Sequence, residues 1–367
     1  MSPKNKITAG SVFDTVFWVD KQDEQGPRLV GRNINSAWST LPIVSKDCRM
    51  LPGRRYRVRV DQVTEKEIRV SRLGLVDFRL EDNIYIEPSL LKHFEILLCG
   101  GRSILLEGPH GTGKSTIAEA LARTLGMEYV FFNCSVCFEP SDFAGSFQLL
   151  VDENNNTRAE WLPSEVLKGV VEACENPDKR YLIFLDQLSR THSYALNGIM
   201  RTIDSTRRIF DPRINSYVSI PDNVQWIAAV DWGKSITGIH HLELTAQLDR
   251  FAVLMVDYPP EKEEIRILSN RYGEVPARHV RKAVSIAQVL RTDVNIISGL
   301  SMRATDEACF LLSNPSFQKR LSRKNMLDIL KICFCNRLIG NPAEEGSEAN
   351  IAFGIIERMI GQGKQEH

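Results

Sequence analysis

The sequence predicts an α/β fold: a mostly parallel sheet with helices on both faces, preceded by a small β-barrel-like domain and followed by an α-helical lid. Three observations carry this. From about Ile86 onward, short apolar runs alternate with segments of helical apolar spacing, the pattern of a parallel sheet wrapped by helices. The run GPHGTGKST, from Gly108 to Thr116, stands between one such apolar run and one such helix. After Pro259 and Pro260 the strand signals stop and the texture becomes wholly helical.

Residues 1–88 read as a β-rich, OB-like domain. SVFDTVFWVD, RRYRVRVDQV and KEIRVSRLG are rich in β-formers and are separated by the turn-like QGPR, LPG and TEKE. Val58, Val60 and Val63 alternate with Arg57, Arg59 and Asp61, giving a strand one buried and one polar face. Arg54, Arg55, Arg57 and Arg59 form a basic stripe that suits either a solvated strand face or contact with phosphate. Trp18, Trp38 and Tyr56 are candidate stacking platforms, although aromatics in so small a domain more often fill its core.

Residues 89–258 are assigned to the α/β domain, with SILLE, YVFFN, YLIFLD, VQWIAAV and FAVLMVDY as its strands. FQLLVDENNNTRAEWL reads as a hairpin turning at Asn154 to Asn156. Residues 259–367 are assigned to the lid and a C-terminal helix, with EKEEIRILSNRY, HVRKAVSIAQVLR and ATDEACFLLS as periodic segments.

GPHGTGKST fits the phosphate-binding pattern G-x-x-x-x-G-K-[ST]. Gly108, Pro109, His110, Gly111, Thr112 and Gly113 supply a loop whose backbone N–H groups can close around phosphate oxygens. Lys114 adds a point charge, Ser115 offers a hydroxyl to Mg2+, Thr116 closes the run, and the helix that follows from Ile117 adds a dipole that favours an anion. The ligand implied is ATP with Mg2+, although the loop reads phosphates and not the base. YLIFLDQLSR is an apolar strand ending in Asp186 and Gln187, and a strand-end acid holds magnesium in P-loop ATPases. The residue after it is often a Glu that polarises water; Gln187 can orient water but cannot take up a proton.

Composition bounds the rest. With 367 residues, 43% hydrophobic and 25% charged, the chain has the makeup of an ordinary globular protein with room for two or three domains. Forty-six basic residues balance forty-six acidic ones, so no global field attracts nucleic acid or an anionic membrane. No apolar stretch approaches the roughly 20 residues of a membrane span, and MSPKNKITAG lacks a signal-peptide core, so a cytoplasmic protein is expected. The pairs Cys134/Cys137 and Cys333/Cys335 lie too far apart in sequence for a compact zinc knuckle and read as core thiols.

Taken in order, GPHGTGKST, EPSDFAGS, LIFLDQLSR, ALNGIMRTIDSTRRI, VQWIAAVDWG, LTAQLDRFAVLMVDYPPEKEE and GLSMRAT resemble the AAA+ ATPases, and among them the MoxR type that includes CbbQ and NorQ. The resemblance runs from about Leu90 to Ser313. It implies a chaperone-like ATPase acting as an oligomeric ring, a homo- or heteromeric hexamer, and a partner protein that in relatives often carries a von Willebrand factor A domain. It also implies that Arg250 in LDRF is an arginine finger reaching a neighbouring subunit's nucleotide, and that Arg303 is the lid's second sensor. The hairpin near Asn154 lies where this group carries an insertion, usually turned toward the ring's pore.

Two positions depart from that pattern. Gln187 replaces the Glu, and Asp231 in AAVDWG replaces an Asn that serves as the first sensor. An ionised Asp can only accept hydrogen bonds and repels phosphate, so good ATP binding with poor hydrolysis is expected. Asp231 acting as a relocated base is the competing account of that site. A nucleic-acid-associated assembly factor, of mobile-element or antiviral-defence type and using the arginine stripe, is the competing account of the whole chain.

Overall fold

The structure is a computed structural model that describes residues 9–10, 12–19, 29–33, 43–45, 55–65, 68–75, 80, 83–151, 157–177, 179–204, 206–231, 249–318 and 322–361. The first strands are β1 (Val12–Val19), β2 (Leu29–Asn33), β3 (Ile43–Ser45), β4 (Arg55–Val63) and β5 (Ile68–Leu75). They close into a barrel in the order β1-β2-β3-β5-β4. The alternation along β4 holds only in part: Tyr56, Val58 and Val60 enter a core with Ile43, Ile68 and Val70, and Arg57, Arg59 and Asp61 face out, but Val63, expected on the buried face, is exposed because the register shifts between Val60 and Gln62. Tyr56 is therefore a core side chain. Trp38 and Arg54 lie outside the described residues, as do the side chains of Trp18 and Arg55 and the Asn154 to Asn156 turn. The sequence reading had no counterpart for β2 and β3.

The central sheet runs β14-β6-β13-β10-β7. Its members, β6 (Ile104–Gly108), β7 (Glu128–Asn133), β10 (Tyr181–Asp186), β13 (Val224–Asp231) and β14 (Ala252–Met255), are all parallel to their neighbours. The inner strands β6, β13 and β10 are buried on both faces and so appear as largely apolar runs, whereas β14 and β7, at the two edges, are partly exposed. In β10, Tyr181, Ile183 and Leu185 enter one core, and Leu182 and Phe184 the other. The first core is covered by α3 (Glu165–Glu175) and α4 (Ser193–Ile203), the second by α1 (Pro88–Cys99) and α2 (Lys114–Thr124). Each of these fully buried aliphatic side chains contributes about 1.5–3 kcal/mol. Two antiparallel hairpins flank the sheet: the expected one, β8 (Gly145–Val151) with β9 (Thr157–Pro163), and an unexpected one, β11 (Arg208–Asp211) with β12 (Ser216–Ser219). Cys134 and Cys137 are buried at the end of β7, and burial pushes the Cys137 thiol up to about 12.

The C-terminal part is helical: α5 (Glu261–Arg271), α6 (Ala277–Thr292), α7 (Met302–Ser313), α8 (Pro315–Gln318), α9 (Arg323–Cys333) and α10 (Glu348–Gly361). Its core takes Val280, Ala283, Val284, Ala287 and Leu290 from α6, the i, i+3, i+4, i+7 stripe of an amphipathic helix. None of the helices among the described residues is long and apolar enough to cross a membrane. Inside this bundle sits one fully buried ion pair: Arg291 Nη1 is 2.6 Å from Glu264 Oε2, with both side chains almost completely hidden. Gln288 and the Thr305 hydroxyl also donate to that carboxylate, at 3.0 and 2.6 Å, so its lone pairs are well used. Replacing Arg291 with Met leaves the charge of Glu264 buried and unpaired, an expected loss of about 3 kcal/mol. Urea unfolding should show this as a lower midpoint for Arg291→Met, with much of the loss recovered in Glu264→Leu/Arg291→Met.

Candidate nucleotide-binding site

The loop between β6 and α2 is shaped by what a side chain would collide with. A Cβ on Gly108 would stand 1.9 Å from the Val256 carbonyl oxygen, so only glycine allows β6 to lie this close to the segment after β14. Gly111 and Gly113 take left-handed φ angles of 73° and 87°, which turn the chain back toward the helix. The Thr112 hydroxyl donates to the Pro109 carbonyl at 3.1 Å and closes the turn. Helix α2 starts at Lys114 with no side-chain cap, so its first N–H groups remain available to an anion.

A cleft of about 520 Å3 opens over this loop. His110 to Ile117 form its floor, Asp186, Gln187 and Asp231 one wall, and the turn Gly299–Arg303 of the lid another. Asn83, Ile84 and Tyr85, ahead of α1, complete it. Every loop residue singled out from the sequence takes part, Gly108 and Pro109 through their carbonyls. The Lys114 ammonium donates to the Gly108 oxygen at 2.9 Å and the Pro109 oxygen at 2.8 Å, and pairs with Asp231 Oδ1 at 2.9 Å. Asp231 ends β13 in register with Gly108, which is why its carboxylate reaches the amine.

Asp186 ends the neighbouring strand β10. Burial raises its pKa first, the like charge of Asp231 adds to this, and the Gln187 N–H, Lys114 and Arg303 pull the other way. Gln187 itself adopts φ 55°, ψ 41°, a left-handed conformation that costs a non-glycine residue on the order of 1 kcal/mol. Arg303 lines the cleft from the lid and is close enough to act on Asp186, whereas Arg250 is exposed and is not part of the cleft of its own chain. For magnesium, the donors on offer are the Ser115 hydroxyl and the Asp186 carboxylate. These are hard oxygens, and they suit an ion that keeps several waters and binds through one or two carboxylates and a substrate phosphate.

Several contributors had no signal in the sequence. The Tyr258 hydroxyl donates to the His110 carbonyl at 2.9 Å, tying the segment before the lid to the loop. Arg291 lies over the Tyr258 ring at 4.5 Å and donates to the Leu300 carbonyl at 2.7 Å, so the buried ion pair also braces the turn that carries Arg303. Arg271 and Asp306, paired at 2.7 Å, and Arg337, paired with Glu307, line the outer edge. These residues are scattered over some eighty positions and form no contiguous pattern; Tyr258, Glu264 and Leu300 fall inside family-like phrases, but their contacts cannot be read from those phrases.

Comparison with known proteins agrees with this geometry. Residues 103–231, which run from β6 to Asp231, match the family model described as AAA domain, dynein-related subfamily. The matched residues lie within the α/β part and make up about a third of the chain. Among curated proteins, the chain is 26% identical over 158 residues to an uncharacterized protein of Staphylococcus saprophyticus, covering 43% of this chain and 56% of that protein. It is 30% identical over 175 residues to Midasin of Giardia intestinalis, covering 48% of this chain and 3% of Midasin. The chain therefore spans about half the length of the staphylococcal relative and a small fraction of Midasin. Among solved structures, a mutant RuvB of Thermotoga maritima superposes with a TM-score of 0.41 at 14% identity, over 70% of this chain and 73% of that one.

The raised pKa of Asp186 has a sign that can be checked. The folded chain holds this proton to higher pH than the unfolded chain does, so the group's contribution to stability falls as pH rises from the ordinary carboxylate value through the raised one. Asp186→Asn should therefore melt above the native protein at pH 7. The gap should shrink as pH is lowered through that window, while magnesium-dependent nucleotide binding is lost. Equal melting curves at every pH would show that the carboxylate is not held under strain.

Proposed function

We propose that this chain is a ring-forming AAA+ ATP-binding protein of MoxR-like type that remodels or scaffolds a partner protein and turns ATP over slowly. The observation that carries the reading is the composition of the wall facing the loop. Two groups on that wall, in this reading beside the attacking water, are an amide, Gln187, and a carboxylate, Asp231, the latter already engaged by Lys114 at 2.9 Å. An amide orients water without accepting its proton, and the ion pair weighs against Asp231 serving as a displaced base.

In this reading the backbone of Gly111 to Ser115 cradles the phosphates, and Ser115 and Asp186 hold magnesium. The metal, when bound, neutralises charge on the phosphate oxygens. Arg303 reports the nucleotide to the lid, and the lid's rigid bundle, braced by Glu264 and Arg291, moves as a unit. The exposure of Arg250 outside its own cleft supports its use as a finger in a neighbour's site, and this requires an oligomer. The partner, with or without a von Willebrand factor A domain, is the object of the nucleotide-dependent change.

The test is ATP turnover by the native protein beside Gln187→Glu, with oligomer mass recorded in ATP and magnesium. A positioned general base is worth roughly 100- to 10,000-fold, so the Glu variant should turn over at least about 100-fold faster than a nearly silent native chain. Turnover by the native protein at a rate the Glu variant does not improve would contradict the reading.

A further inference from the structure

An ammonium group has three N–H donors, and all three of those on Lys114 are met by this chain itself. Two go to the loop carbonyls of Gly108 and Pro109, at 2.9 and 2.8 Å, and hold the amine over the turn. The third faces Asp231 Oδ1 at 2.9 Å in a pair whose lysine side chain is only 5% exposed. The β-phosphate of a nucleotide in this cleft is met chiefly by the loop's N–H groups and the uncapped start of α2. A γ-phosphate lies farther out, toward the ends of β10 and β13, and there two carboxylates already stand on adjacent parallel strands.

We propose that Asp231 makes this site selective for a nucleoside diphosphate over a nucleoside triphosphate, its carboxylate taking the place on Lys114 that a γ-phosphate would otherwise claim. This rests on the cleft being a nucleotide site. With a diphosphate bound, Asp231 keeps its partner and the third donor stays satisfied. With a triphosphate, Lys114 must leave Asp231 for the γ-phosphate, and Asp231 is left unpaired beside a like charge, with Asp186 close by. Asp186 and Asp231 end adjacent parallel strands, so like charge already stands together on this wall. Arg303 faces the same wall from the lid and offsets only part of it. Such a chain rests in the diphosphate state and enters the triphosphate state only when ATP is in excess, which adds a threshold to a slow switch.

The experiment is calorimetric titration of the full chain with ADP and with ATP, each with magnesium, for the native protein, Asp231→Asn and Asp231→Ala. The native chain should bind ADP at least about tenfold more tightly than ATP, a difference of about 1.4 kcal/mol. Both variants should gain about tenfold or more for ATP relative to ADP, and a cooperative melt no lower than that of the native chain shows that the loop is still folded. Agreement between Asn and Ala assigns the effect to the charge and not to a new hydrogen bond. A native chain that binds ATP as well as ADP, or variants that shift both nucleotides equally, would overturn the proposal. A folded native chain that binds neither would overturn it too, by removing the nucleotide site itself.

Discussion

The position of the Lys114 ammonium depends on nearly everything else in the α/β part. Its two carbonyl contacts exist because β6 ends in a glycine that lets the chain pass against Val256, and because two left-handed glycines fold the loop back over the amine. Its third contact exists because β13 lies next to β6 and brings Asp231 level with Gly108. A parallel sheet places the ends of its strands along one edge, and a phosphate-binding loop gathers charge at that same edge. Three charged groups, Lys114, Asp186 and Asp231, are thereby forced into one small volume.

The lid extends this arrangement. The Glu264 and Arg291 pair is buried within the helical bundle, yet Arg291 also stacks on Tyr258 and binds the Leu300 carbonyl, while Tyr258 reaches the His110 carbonyl on the loop. The loop and the lid are thereby joined by a chain of direct contacts. Gly111 tightens the join further, since even one methyl there would come within 2.4 Å of the Ser301 Cβ.

The sequence revealed those parts whose physics is local. The inner strands β6, β13 and β10, buried on both faces, had to be apolar runs and stood out, the edge strands β7 and β14 stood out through their β-formers, and the apolar stripe of α6 stood out at helical spacing. The short strands LVGRN and IVS, and the hairpin RIFD with SYVS, did not, because three to five residues are too few for alternation to register. At the site, the loop was legible because a phosphate cradle is contiguous. Asp231 was legible as an unusual acid in its place, but its bond to Lys114 follows from strand order, which sequence spacing does not encode. Tyr258, Glu264 and Arg291 were invisible because each acts only through a fold that brings together residues far apart in the chain.

The most direct test of the account is calorimetric titration of the native chain and of Lys114→Ala with ADP and magnesium. The account predicts one nucleotide per chain for the native protein and a loss of at least about 100-fold in affinity for the variant, since the ammonium's bonds to the Gly108 and Pro109 carbonyls hold the loop in the shape that cradles the phosphates. Undiminished binding by a folded Lys114→Ala variant would contradict it, for the ammonium would then not be what the cleft is built around.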